Sequence, residues 1–289
     1  VSAQQSTQQM QGKICLVTGA NSGIGYEAAL ALAQMGATVV MVCRNRAKGE
    51  TAQAEIKTKS GNTAVDLMIA DLSIQREVRR LADEFKAKYQ KLHVLLNNAG
   101  GVHGQREVTA DGYEVTFAVN HLAYYLLTEL LLDVIKASAP ARIINVASSA
   151  EGFGSLKFDD LMGEKRYGAM QAYGQSKRAN IVYAYELAQR LAGTGVTVNA
   201  VHPGPVATNF GANSGGIMGL FTRIARPFEL TPAQGASRLV YLATSPDVEG
   251  VTGKYYGDKK QIKSSAQTHD PAVQRQLREV SEQLTAASR

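Results

Sequence analysis

The chain has 289 residues, 45% of them hydrophobic, which suffices for one large buried core. A net charge of +6 without any dense Lys/Arg block argues against nucleic-acid binding and fits a soluble surface or a site for an anionic ligand. No run of about 18 apolar residues predicts a membrane span, and Cys15 and Cys43 have neither zinc-site nor redox-motif spacing. Two thiols inside apolar runs fit a reducing compartment, so a cytoplasmic location is expected. The opening VSAQQSTQQMQG is polar and lacks a signal core, so residues 1–11 read as a mobile tail before one domain over 12–289. The chain begins with Val rather than Met, which leaves room for an upstream segment that has been removed.

In chain order, strand-like apolar runs alternate with helix-like segments. KICLVTG reads as a buried strand, and IGYEAALALAQMG as a helix ended by Gly36. TVVMVCR is the next strand, followed by a polar helix over about residues 47–59. AVDLMIADLS is a third strand, with Ser73 as the expected N-cap of IQREVRRLADEFKAKY. LHVLLNNAGG is a fourth, GYEVTFAVNHLAYYLLTELLLDVIKAS a long helix, and ARIINVASS a fifth. A helix through QAYGQSKRAN runs to about Leu191, VTVNAVHPG and GKYYGD complete the sheet, and DPAVQRQLREVSEQL reads as a surface helix capped by Asp270 with Pro271 at its first position. Strands that are apolar throughout are buried on both faces, so a doubly wound α/β fold with seven mostly parallel strands is expected.

TGANSGIG lies between the first strand and its helix, where Gly19, Gly23 and Gly25 allow a tight turn and close backbone approach. A helix N-terminus at that point favours a phosphate; the alternative is a purely structural turn. The G-x-x-x-G-x-G spacing resembles the short-chain dehydrogenase/reductase family, and no Lys-Ser/Thr pair follows to make a P-loop. Further motifs in order strengthen the resemblance: NNAG from Asn97 to Gly100, Asn120 in AVNHLAYYLLT, Ser148 and Ser149 in RIINVASS, Tyr173 and Lys177 as Y-x-x-x-K, and HPGPVAT from His202 to Thr208. The pattern spans nearly the whole chain and implies a single-domain Rossmann fold.

The resemblance implies a dinucleotide held by Gly19, Asn21, Ser22, Gly23, Ile24 and Gly25 in the loop. Beyond it, the cofactor would meet Arg44, Asn45, Asp71 and Leu72, then Asn98, Ala99 and Gly100, then Tyr173, Lys177, Pro203, Gly204, Val206 and Thr208. Cys43 stands where an acid would bind a ribose 2′-hydroxyl, and Arg44 follows, so NADP(H) is expected over NAD(H), with Arg46 as helper or as an ordinary loop arginine. Asp71 would face the adenine edge. The reacting group would be Asn120, Ser148, Tyr173 and Lys177. Ionising a free tyrosine at pH 7 costs about 4 kcal/mol. A lysine one helical turn away, about 4 Å off, offsets about 4 kcal/mol at an effective dielectric near 20. Tyr173 would then exchange a proton with a carbonyl or alcohol, Ser148 would hydrogen-bond the substrate oxygen, and Asn120 would hold a relay water. Either serine also reads as loop-start polarity.

VCRNRAKGE, YGQSKRANIVYAYELAQRL and LTPAQGA further resemble the retinol-dehydrogenase-like branch, which implies a lipophilic alcohol or aldehyde such as a retinoid, lipid aldehyde or steroid. Residues 209–230 read either as an apolar lid over the substrate or as a short packed helix. The five histidines have no ligand spacing, so no metal is expected. The resemblance suggests a homodimer or homotetramer. The competing readings are a non-catalytic NADP(H)-binding regulatory protein and a nucleotide-sugar isomerase or lyase, the latter disfavoured by the glycine spacing.

Overall fold

The computed structural model describes residues 9–205 and 230–286. Its centre is one sheet of eight strands: β1 (Ile14–Thr18), β2 (Thr38–Cys43), β3 (Val65–Ile69), β4 (Val94–Asn97), β5 (Ala141–Val146), β6 (Val196–His202), β7 (Lys254–Gly257) and β8 (Lys260–Gln261). The order is β3-β2-β1-β4-β5-β6-β7-β8, parallel from β3 through β7. The direction of winding reverses between β1 and β4. That crevice, at the carboxyl ends of the strands, is where such sheets bind ligands.

Alternation along each strand explains why both faces are covered. Leu16, Val40, Val42 and Leu95 point into one core, with α3 (Gln75–Lys88), α4 (Val115–Lys136) and α5 (Ala169–Arg190). Cys15, Val17, Val39, Met41 and Leu96 point into the other, with α1 (Gly23–Gln34), α2 (Arg46–Ser60) and α6 (Pro232–Thr244). Each fully buried Leu or Val contributes roughly 1.5–3 kcal/mol, so the strands hold the sheet through both surfaces at once. A third cluster seats α7 (Pro271–Ala286) by Leu277 against Phe117, Leu122 and Val182. The expected surface helix therefore buries one face, and Asp270 Oδ1 caps it by accepting from Ala272 N at 2.8 Å.

The sheet has one strand more than the seven expected. Asp258 and Lys259, at φ 50° and 61°, form a two-residue turn that returns β8 antiparallel on β7. A two-residue, exposed strand carries no apolar alternation for the sequence to reveal. Ser73 does not cap α3; it donates twice to Asp71 Oδ1, at 2.9 Å from N and 2.7 Å from Oγ. The carboxylate that meets the start of α3 comes from Asp111, which accepts from Gln75 N at 2.7 Å. Met10, near the end of the expected tail, is buried, and its N–H donates to Met35 O at 2.9 Å. Among the described residues, Val115–Lys136 is long and apolar enough to cross a membrane, but most of it is buried inside the fold.

Candidate active site

The glycine loop is shaped by lack of space. Gly19 and Gly23 have φ of 68° and 58°, which other residues rarely adopt. A Cβ on Gly25 would lie 2.3 Å from Gly19 O and 2.5 Å from Asn98 Nδ2, so α1 starts in backbone contact with the end of β1. Thr18 joins the loop to β4: its Oγ1 accepts from Asn98 N at 2.8 Å and Ala99 N at 3.0 Å, while Asn98 Nδ2 donates to Thr18 O at 2.8 Å. Ser22 is exposed and its side chain does not cap α1; Asn21, Gly23 and Ile24 are half-buried around it. A bare helix start beside side-chain-free backbone fits the pyrophosphate of a dinucleotide.

Arg44 stands at the next corner, 77% exposed, its Nη1 3.8 Å from Asp71 Oδ2. Asn45 caps α2 by accepting from Lys48 N at 3.0 Å. Arg46 instead pairs with Glu50 at 3.7 Å on the helix surface, so the two arginines differ in setting. Leu72 packs against the core beside Asp71.

The four expected reacting residues converge from three elements. Tyr173 and Lys177 lie one turn apart on α5, and Ser148 leads the short helical turn Ser149–Phe153 after β5. Ser148, the serine expected to react, is half-buried and hydrogen-bonds Tyr173 by its side chain, whereas Ser149 is exposed. Lys177 is buried; its Nζ donates to Val146 O at 3.0 Å and lies 5.6 Å from the ring centroids of both Tyr173 and Tyr124. Asn120 falls in a π-helical segment of α4, Ala118–Leu122, a backbone form frequent at functional sites. Its Oδ1 accepts from Gly101 N, and its Nδ2 donates to Gly101 O and Ser176 Oγ, all at 2.9 Å. One amide proton thus holds the NNAGG loop and the other ties Asn120 to α5. A Cβ on Gly100 would stand 2.9 Å from Asn120 Oδ1 and 3.3 Å from Lys177 Nζ, so that glycine opens the route between them.

The electrostatics differ from the expectation. Burial pushes the Tyr173 phenol up to about 12, and the hydrogen bond from Ser148 pulls it back. Burial brings Lys177 down to about 7. A lysine whose charge burial disfavours, and which is turned toward Val146 O, does not supply the full offset estimated for a unit charge at about 4 Å. In this geometry burial outweighs Lys177, and Ser148 is the group that eases ionisation of the phenol.

At the far side, Pro203 is buried and Gly204 turns at φ 94°, with Arg238 Nη1 2.8 Å from where its Cβ would be. His202 Nδ1 accepts from Ser149 N at 3.3 Å and Gly204 N at 3.4 Å, tying this turn to the one after β5. Val206, Thr208 and residues 209–229 of the expected lid lie outside the described residues. Sequence reasoning missed Thr18, whose only signal is a hydroxyl ending an apolar strand. It also missed Glu151 and Arg178, a buried ion pair 3.2 Å apart, between positions with no sequence spacing to connect them.

A switch-point crevice with a glycine loop, a Ser148–Tyr173 contact and Lys177 one turn along α5 fits the site of a nucleotide-dependent oxidoreductase. The family model for short chain dehydrogenases matches residues 13–215. The chain is 43% identical to mouse retinol dehydrogenase 12 over 96% of its length and 87% of that protein's. It is likewise 43% identical to human retinol dehydrogenase 11, over 96% and 86%. Among solved structures, a Mycobacterium paratuberculosis protein aligns with TM-score 0.79 and 31% identity over 96% of this chain and 94% of that one. A short chain dehydrogenase of Escherichia coli CFT073, solved with NADPH, aligns with TM-score 0.67 and 26% identity over 86% and 98%. The chain belongs to the short chain dehydrogenase family and is retinol-dehydrogenase-like within it. It is an oxidoreductase of the kind that interconverts alcohols and carbonyls with a nicotinamide cofactor. The comparisons overturn the cytoplasmic location, which conflicts with relatedness to retinol dehydrogenases 11 to 14. That expectation rested on two thiols inside apolar runs, and thiols buried in a core stay reduced in any compartment.

Proposed function

We propose that this chain is an NADP(H)-dependent reductase and dehydrogenase that interconverts a lipophilic aldehyde or ketone with its alcohol. The observation that carries the reading is the joint placement of Ser148, Tyr173 and Lys177 beside a cradle free of side chains. Arg44 supports NADP(H) because its exposed guanidinium can pair with a 2′-phosphate, and the Escherichia coli relative's NADPH complex agrees with it. The names of the retinol dehydrogenases support an apolar, retinoid-like substrate.

Bound in the cradle, the nicotinamide dinucleotide supplies or takes up the hydride. The residues do the rest. Tyr173 gives its proton to the carbonyl oxygen in reduction and removes one from the hydroxyl in oxidation. Ser148 donates a hydrogen bond where charge develops on that oxygen. Lys177, anchored by Val146 O, sets its amine 5.6 Å from the centre of the Tyr173 ring and faces the route that Gly100 leaves open. The side chain of Asn120 clamps Gly101, so the relay water falls to its backbone in the π-helical segment.

Cofactor oxidation measured across aldehydes and ketones of increasing chain length tests the reading. Turnover with NADPH well above that with NADH, rising with apolar chain length, is expected. Tight NADPH binding with no turnover on any carbonyl would instead favour a regulatory binding protein.

A further inference from the structure

The segment carrying Ser148 and the helix carrying Tyr173 meet backbone to backbone. A Cβ on Gly174 would lie 2.4 Å from Ala150 O and 2.7 Å from Gly154 N, and one on Gly154 would lie 2.1 Å from Gln175 N. Gly154 has φ −123° and ψ 132°, which any residue adopts, so this glycine is required for space rather than for backbone freedom. Gly174 sits inside a helix, where alanine is intrinsically preferred.

Beside this contact lies a buried charge pair that the proposed chemistry does not use. Arg178 Nε donates to Glu151 Oε2 at 3.2 Å and Nη2 to Glu151 O at 2.7 Å. The same guanidinium reaches Ser265 Oγ and Gln267 Oε1, each at 2.9 Å. Glu151 accepts in turn from Ser265 N at 3.0 Å and Ser265 Oγ at 2.7 Å, and its own N–H donates to Ser148 O at 3.0 Å. A continuous chain of bonds thus runs from Ser148 through Glu151 and Arg178 into the helix of Tyr173. A buried ion pair is weak grounds for stability, because desolvation offsets its attraction. Its planar fork of donors is well suited to fixing geometry.

We propose that Glu151 and Arg178, with the Gly154–Gly174 contact, are positioning elements that set the distance between the Ser148 hydroxyl and the Tyr173 phenol. The proposal rests on the reading of Tyr173 as proton donor. A displacement of about 1 Å at such a site can cost about 10²-fold in rate.

The test uses Arg178→Lys, Gly174→Ala and the paired replacement E151L/R178M in the full chain, with Ser148→Ala and Tyr173→Phe as references. Lysine keeps the charge but, with three donors at one nitrogen, cannot reach the four acceptor atoms that the guanidinium does. The paired replacement removes the ion pair without stranding a charge and covers the case in which a single variant fails to fold. The deciding readout is the 13Cζ NMR signal of Tyr173 in tyrosine-labelled protein, assigned by its loss in Tyr173→Phe. Folded variants are expected to move that signal in the direction of Ser148→Ala. They should also lower kcat about 10- to 100-fold with KM and NADPH affinity within about threefold. A Tyr173 signal at its wild-type position in folded Arg178→Lys or E151L/R178M overturns the proposal. If wild type itself turns over no carbonyl, the functional reading has failed, and the NMR shift still decides the positioning claim.

Discussion

On the proposed reading, Arg44 favours NADP(H) by pairing its guanidinium with a 2′-phosphate. It stands 3.8 Å from Asp71 at a mostly exposed corner, a loose pair that solvent screens. A charge-assisted hydrogen bond is worth about 1.5–3 kcal/mol. Arg44→Ala should therefore weaken NADPH binding about 10- to 100-fold and leave NADH binding nearly unchanged, as titration of cofactor fluorescence would show. Equal losses for both cofactors would mean that Arg44 shapes the loop instead. Arg44 was legible in the sequence because it stands beside a missing acid. Gly25 was legible because glycine is itself the signal of close approach. Thr18 and Asp111 were not: both act through contacts spanning 36 or more residues, which no local pattern encodes.

At the scale of elements, the π-helical segment of α4 turns a local weakness into a clamp. Asparagine inside a helix is disfavoured on propensity, which made Asn120 visible as an anomaly. What the sequence could not show is that its amide fixes both backbone groups of Gly101. Replacing it by alanine removes the partner of both partly buried groups, at about 1–3 kcal/mol each. Asn120→Ala is expected to lower unfolding free energy by roughly 2–4 kcal/mol in urea titration and to reduce kcat along with it. Unchanged stability would show that Gly101 finds other partners. Strands were readable for a comparable reason: runs apolar on both faces allow few other placements. Their order in the sheet, and the short β8, depend on contacts between distant segments and left no such trace.

Across the whole molecule, buried imidazoles link stability to pH. His121, fully buried, lies between Asn180 Oδ1 at 3.3 Å and Ser281 Oγ at 3.0 Å, which joins α4, α5 and α7. Burial lowers it to about 4, lowers His202 to about 4 as well, and moves His93 in the same direction. The unfolded chain binds these protons near pH 6.5 and the folded chain does not, so stability is full above pH 6.5 and is lost as pH falls toward 4. Between pH 6.5 and 5, His121 alone should cost about 2 kcal/mol. Denaturant unfolding at pH 7.5 and pH 5 should show at least that loss, and His121→Asn should remove the His121 share of it; equal stability at both values would contradict the burial argument.

The account turns on a proton held by Tyr173, and one comparison reaches it directly. Wild type and Tyr173→Phe are loaded with NADPH, their cofactor affinities are measured, and reduction of a reactive apolar aldehyde is followed in a single turnover. General acid catalysis contributes about 10²–10⁴-fold, so the expected result is equal NADPH affinity with a rate at least about 10²-fold lower in the variant. A phenylalanine protein that binds NADPH and reduces the aldehyde at the wild-type rate would contradict the account.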